Sequence, residues 1–300
     1  MHFGFIGLGS MGSHMARNLL EHQGSLVVHD IDEDAMSALE TRGAEAASTP
    51  AQLSERVDTI CLSLPDDAAV RDVVFGDTGL LQAVEPGDIL VDLTTSFPPT
   101  TKEVEKALND RGAHMIGGGV TRGIQGAREG TLGIMVGGEE GLIEQCAPLF
   151  EAISTDVFHV GTRPDQGHAA KLLVNYLWSV GLIATCEAIA LGKKVGLAPE
   201  TMIETFNAGA GRNEVTEGTF PEYILTQGYD SEFSVGLWDK DLRLFSDFAD
   251  RNDAPVLFGE MTRQMAGMIR ATIGRDEDST RSYEFFEKLI LEEASGDKGM

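Results

Sequence analysis

A chain of 300 residues accommodates two ordinary domains, each with its own core. Its 48 Asp and Glu against 23 Lys and Arg leave a net charge of −25, a field that repels nucleic acid and anionic membrane surfaces. Three widely separated cysteines, Cys61, Cys146 and Cys186, exclude a disulfide framework and suit reduced thiols in a cytoplasmic protein.

The first predicted strand is HFGFIG, residues 2–7, and the first predicted helix is MGSHMARNLLEH, residues 11–22. Short apolar runs at 25–29, 58–63, 88–92, 114–116, 132–136 and 156–160 read as further strands, with a helical segment at 101–110. Strands alternating with helices predict βαβ units and a mainly parallel sheet. After about residue 164 strand-like runs vanish. The segment from Gly167 to Lys194 is apolar on nearly every face, the pattern of a buried helix. Helices are predicted at about 199–207, 217–226, 236–251, 254–273 and 279–292, with a frayed end from Ala294. The expected division is an α/β domain over 1–163 and an all-α domain over 164–300, joined by a long helix at about 166–194 that a proline opens. No uninterrupted apolar run reaches about 18 residues, so no membrane span is expected. The start MHFGFIGLGSMG has no leader pattern. With no Cys-x-x-Cys or closely spaced His pair, no protein-built metal site is expected.

Gly7-Leu8-Gly9-Ser10-Met11-Gly12 is a G-x-G-x-x-G between a strand and a helix, with Asp30 at the tip of the second strand. That context makes the motif a dinucleotide-binding fingerprint of the Rossmann kind. Gly7 permits the turn, Gly9 lets backbone approach a pyrophosphate, and Gly12 lets the helix pack on the strand. Unpaired N–H groups at the helix start then face the phosphates. Asp30 accepts from a ribose diol and repels a 2′-phosphate, which predicts NAD rather than NADP. Two later loops, Leu64-Pro65 and Thr94-Thr95-Ser96, follow predicted strands where a dinucleotide would pass. Thr95 is the candidate hydroxyl at the nicotinamide ribose, although both loops also read as ordinary turns.

Lys171 and Asn175 lie i, i+4 on the long helix and so share a face. A lysine in so apolar a segment needs a task or a partner, and burial makes its amine a usable proton donor and acceptor. A lysine snorkelling from the helix start is the alternative, and His168 is the rival acid/base.

Four segments, in this order, resemble the β-hydroxyacid dehydrogenase family that includes 3-hydroxyisobutyrate dehydrogenase. GFIGLGSMGSHMARNL resembles its N-terminal signature, and GAREGTLGIMVGG the second half of its substrate-binding signature. GHAAKLLVN resembles the segment of the catalytic lysine, and LWDKDLRL a later lysine–aspartate pair. The resemblance runs over nearly the whole chain. It implies a Rossmann domain followed by a helical domain through which subunits associate, as a homodimer or homotetramer. It further implies hydride transfer between NAD and the hydroxyl-bearing carbon of a small anionic hydroxyacid or aldehyde. On the matching positions, Lys171 is the acid/base, Asn175 orients it and binds substrate, and Lys240 lines the closed active site beside Asp241. Read without the family, Lys240 is equally a salt-bridge partner of Asp239 or Asp241.

The chain departs from the family's Asp-Ala-Pro-Val-Ser-Gly-Gly loop, for which it has residues 117–123, GGGVTRG. Loss of the Asp and Pro predicts a looser strand end. Thr121 keeps the hydroxyl, and Arg122 replaces a glycine before Gly123. A guanidinium there is expected to recognise the substrate's acid group through a bidentate fork. Sulfolactaldehyde reductases carry an Arg at this place, so a sulfonated aldehyde is the alternative substrate. Bracing of Arg122 against a nearby carboxylate is the competing reading. Arg128 is expected on the surface. Imine reductases typically lack the lysine, 6-phosphogluconate dehydrogenases have a larger helical domain, and an NAD-binding sensor would have no need of Lys171 and Asn175. The acidity itself leaves an ordinary acidic protein and one adapted to high salt both open.

Overall fold

Runs of two to eight residues between turn signals become the strands of one sheet. In the computed structural model, which describes residues 1–291, these are β1 (Phe3–Ile6), β2 (Val27–His29), β3 (Glu45–Ala46), β4 (Thr59–Leu62), β5 (Ile89–Asp92), β6 (His114–Thr121), β7 (Leu132–Gly137) and β8 (Ser154–Gly161). Their order is β3-β2-β1-β4-β5-β6-β7-β8. All neighbours are parallel except β6 and β7, which are antiparallel.

Helices α1 (Gly12–Gln23), α2 (Glu33–Glu40), α3 (Pro50–Ser54), α4 (Asp67–Phe75), α5 (Pro98–Asn109), α6 (Gly123–Glu129), α7 (Glu140–Gln145) and α8 (Ala147–Ile153) accompany the sheet. Along β1, β4, β5 and β7 both faces of the sheet are buried. Alternation along each strand sends Phe5, Cys61 and Val91 into one core with Leu19 of α1, and Ile6, Leu62 and Leu90 into another with Val104 of α5. Parallel strands put their carboxyl ends on one edge, so the loops after β1, β4, β5 and β6 gather there.

The chain divides into two units, Met1–Lys171 and the residues from Leu172 onward. Helix α9 (Pro164–Lys194) starts in the first with a proline and continues into the second. The second unit is otherwise built from α10 (Pro199–Ala208), a π-helical stretch Val215–Ile224, α11 (Val235–Arg251), α12 (Leu257–Ile273) and α13 (Ser282–Leu291). Its core joins Leu182, Cys186 and Ile189 of α9 to Trp238, Leu242, Ile269 and Phe286.

Several expectations need correction. The two-residue strand β3 has no apolar run to announce it. Strand β6 runs five residues beyond the predicted 114–116, and its end is not loose, because Thr121 pairs with Gly133 of β7. The predicted helix at 217–226 is a π-helix with Pro221 inside it, a wider turn that accommodates the missing N–H. Helix α9 is not buried all round, since Leu173, Val174, Leu177 and Leu191 are exposed. By length and composition this helix is apolar enough to cross a membrane, a test that a core helix passes as well. The same helix supplies core side chains to the second unit. The predicted frayed end from Ala294 lies outside the described residues.

Candidate functional site

The glycine loop after β1 has the close approaches that its spacing predicts. Gly7 adopts φ +94°, and a Cβ there would lie 2.2 Å from the Ser63 carbonyl oxygen. A Cβ on Gly12 would lie 1.9 Å from the carbonyl oxygen of Gly7, which explains how α1 starts so near the strand. Gly9 has open space where its Cβ would be, and it is exposed together with Ser10. No side chain caps the start of α1 at Met11; Ser13 N–H donates to the Gly9 carbonyl oxygen at 3.0 Å, and the helix N-terminus as a whole favours an anion. Close-packed glycines beneath and an open one above fit a dinucleotide's pyrophosphate. Asp30 sits at the rim of this cradle. Its Oδ2 accepts from the Leu8 N–H at 2.5 Å and its Oδ1 from the Asp32 N–H at 2.8 Å. The carboxylate therefore fixes the loop with one lone pair on each oxygen and retains the others for a diol.

The loops after β4 and β5 are tied together by Thr94 and Ser96 and by two carboxylates that the sequence did not single out, Asp67 and Asp92. Leu64 N–H donates to Thr94 Oγ1 at 3.1 Å, and Phe97 N–H donates to Asp67 Oδ1 at 2.9 Å. Buried Asp92 accepts from Thr94 N–H at 2.9 Å and from Ser96 Oγ at 3.0 Å. Thr94 and Ser96 are consequently turned inward and Thr95 is left partly exposed, while Pro65 is exposed. Asp67, Asp92 and Thr94 are the braces that hold Leu64, Pro65 and Thr95 in place.

His168 is wholly buried. Its Nε2 lies 3.0 Å from the Asp92 carbonyl oxygen, to which it must donate, so Nδ1 accepts from Thr101 Oγ1 at 2.6 Å. Both ring nitrogens are occupied in holding the first turns of α9 to the sheet. Lys171, one turn on, runs its stem across Gly119 of β6. A Cβ on Gly119 would stand 2.3 Å from Lys171 Cβ and 2.6 Å from its Cγ. The glycine in place of the family's proline is thus the seat of the lysine stem.

At the end of β6, Thr121 is partly buried, whereas Arg122 and Gly123 are exposed. Both Arg122 and Gly123 take left-handed backbone, at φ +78° and +60°. The Arg122 guanidinium is already engaged. Nη2 donates to Asp156 Oδ2 at 2.6 Å, and Nη1 donates to Thr131 O and Thr155 Oγ1, both at 2.8 Å. The fork is thus braced by the Asp156 carboxylate on β8, the arrangement of the competing reading. Arg128 is exposed.

In the second unit Asn175 Nδ2 donates to Asp241 Oδ2 at 2.6 Å. Asp241 is buried, and Lys240 Nζ lies 3.2 Å from its other oxygen. Asp239 pairs instead with Arg243 at 2.9 Å and Arg270 at 3.2 Å. Tyr176 stacked on Phe245, with centroids 4.3 Å apart, and Trp238 Nε1 donating to Ser179 Oγ at 2.8 Å fix α9 against α11 around this pair. Asn175, Lys240 and Asp241 thus form one connected polar group.

Residues 2–161 match the family described as the NAD binding domain of 6-phosphogluconate dehydrogenase. Residues 165–286 match the NAD-binding family of NADP-dependent 3-hydroxyisobutyrate dehydrogenase. The chain is 33% identical to the probable mitochondrial 3-hydroxyisobutyrate dehydrogenase of Dictyostelium discoideum, over 95% of this chain and 90% of that one. It is 32% identical to 2-(hydroxymethyl)glutarate dehydrogenase of Eubacterium barkeri, over 98% and 97%. Among solved structures, Mycobacterium tuberculosis 3-hydroxyisobutyrate dehydrogenase with L-serine aligns with a TM-score of 0.87 at 25% identity, over 95% of this chain and 99% of that one. Glycine cradle, tethered loops and full-length kinship converge, and the chain belongs to the 3-hydroxyisobutyrate dehydrogenase-like family of β-hydroxyacid dehydrogenases, as an NAD-dependent hydroxyacid dehydrogenase.

Proposed function

We propose that the chain interconverts a small β-hydroxyacid and its semialdehyde or ketone, with Lys171 as the acid/base. The observation that carries this is Lys171 seated on Gly119 at the carboxyl edge of the sheet, the edge that also bears the glycine cradle. When bound, NAD supplies the acceptor for the hydride leaving the carbinol carbon. The free amine of Lys171 takes the hydroxyl proton as the alcohol is oxidised; in reverse, its ammonium protonates the developing alkoxide. Asn175, its amide anchored by Asp241, orients the lysine and binds substrate, and Lys240 adds positive charge to the same group. Thr121, Arg122 and Gly123 form the substrate loop, whose left-handed backbone turns N–H groups toward an anion. Gly7 to Gly12 hold the pyrophosphate, Leu64, Pro65 and Thr95 line the nicotinamide side, and Asp30 selects the unphosphorylated ribose. Ile31 follows Asp30 and is 98% exposed, an apolar side chain suited to lie against an adenine.

The pairing of Arg122 with Asp156 supports a carboxylate bound by the loop, and leaves reduction of sulfolactaldehyde as the alternative. The test is NAD reduction followed at 340 nm with 3-hydroxyisobutyrate, L-serine, glycerate, 4-hydroxybutyrate, 2-(hydroxymethyl)glutarate and dihydroxypropanesulfonate. Turnover of a carboxylate that Lys171→Ala abolishes is the expected result. Turnover of the sulfonate alone favours the alternative, and no turnover of any of them refutes both.

A further inference from the structure

Arg122 is the one non-glycine residue of the first unit with a left-handed backbone, a conformation costly to any residue with a Cβ. Something must hold it there, and the surroundings are shaped to let its side chain do so. A Cβ on Gly126 would lie 2.9 Å from Arg122 Cβ, and one on Gly133 would lie 3.7 Å from Arg122 Cζ. Small residues on α6 and β7 thus open a channel along which the side chain reaches β8. There the fork finds three acceptors on two strands' worth of chain: Thr131 O before β7, and Thr155 Oγ1 and Asp156 Oδ2 on β8. Thr155 Oγ1 also lies 3.0 Å from Asp156 Oδ2, closing the group. The guanidinium and the threonine hydroxyl hold the Asp156 carboxyl below the usual carboxylate range.

We propose that Arg122 and Asp156 act as a positioning pair, which clamps the loop Thr121–Gly123 in its left-handed form so that its N–H groups are preset for the substrate's acid group. Asp156 touches no reacting atom; it acts through Arg122. The proposal rests on this loop being the substrate loop, as argued above. It makes the opposite prediction from a guanidinium that binds the anion itself. If Arg122 were the ligand, Asp156 would be its competitor, and removing Asp156 would tighten substrate binding.

The experiment compares Asp156→Asn, Asp156→Glu, Arg122→Gly and the double variant Arg122→Gly/Asp156→Asn, using whichever hydroxyacid the panel identifies. Glycine at 122 suits the backbone, so the protein folds without the clamp. Loss of a charge-assisted pair that orders a loop is expected to raise KM about tenfold in either single variant. Effects of one clamp are not additive, so the double variant is expected to match the singles. Asp156→Glu is expected to stay near wild type, and in the two Asp156 single variants kcat and NAD affinity are expected to change little. A lower KM in Asp156→Asn, or a KM that does not move, overturns the proposal. Hydrogen exchange of amides 120–126 provides a readout independent of substrate. It is expected to quicken in Asp156→Asn and Arg122→Gly but not in Asp156→Glu, even if the wild type turns over none of the panel. Unchanged exchange in all variants also overturns the clamp.

Discussion

In the proposed reaction Lys171 is the residue on which the chemistry turns. Its replacement by alanine is expected to lower kcat about 10²–10⁴-fold, the range for a lost general acid/base, while NAD affinity measured by fluorescence holds. A kcat within tenfold of wild type would place the acid/base elsewhere; His168 is no substitute, since both its nitrogens are engaged inside the protein. Asp30 carries a second prediction. Asp30→Asn retains an oxygen acceptor for the Leu8 N–H but loses the charge, so the ratio of NADP to NAD affinity should rise by roughly tenfold, a difference of about 1.4 kcal/mol. An unchanged ratio would show that cofactor choice is made by another group.

The first turns of α9 and strands β6 and β7 meet through missing side chains. A Cβ on Gly167 would stand 2.0 Å from the Gly117 carbonyl oxygen, and one on Gly137 would stand 2.2 Å from that of Arg163. Gly167→Ala must therefore push helix from sheet, and a cost of about 1–3 kcal/mol is expected, as for an overpacked core. Urea unfolding would read it, and a midpoint equal to wild type would disprove so tight a contact. These contacts also show where sequence was legible. The periodic segments that became α1, α5 and α11, and the apolar runs of β1, β4 and β5, announce themselves because their burial pattern is local. The glycine cradle does so too, because three glycines and a following helix fit one short motif. Strand β6 was cut short in the sequence because Gly117, Gly118 and Gly119 lack strand propensity, and pairing with β5 and β7 overrides that. The partner of Arg122 was out of reach for another reason: Asp156 lies 34 residues away, and only the order of strands β6, β7 and β8 brings the two near.

A net charge of −25 on 300 residues is a property of the whole molecule. Like charges repel in the folded state more than in the expanded chain, and added salt screens that repulsion over roughly 10 Å at 0.1 M. Thermal unfolding is therefore expected to occur at higher temperature as KCl is raised from a low-salt buffer. A midpoint that stays level or falls would mean that ion pairs such as Arg71–Glu103 and Lys193–Glu287 already offset the excess, and that high-salt adaptation is not needed to explain the composition. The three cysteines are buried, and burial pushes the thiols of Cys146 and Cys186 up to about 12. The folded protein should therefore resist thiol reagents until it opens, which makes the onset of labelling a convenient second measure of that transition.

The contact between Gly119 and Lys171 has a meaning in evolutionary terms. The closest approach is to the lysine's Cβ, not to its amine, so it would persist with any residue at 171 except glycine. A descendant that exchanged the lysine for another chemistry would still be obliged to keep the glycine. Members of the family with the usual proline at this position must space strand and helix otherwise; within the branch that shares this glycine, position 119 should accordingly outlast position 171, recording the distance between a helix and a strand after the reaction that once used it has been abandoned.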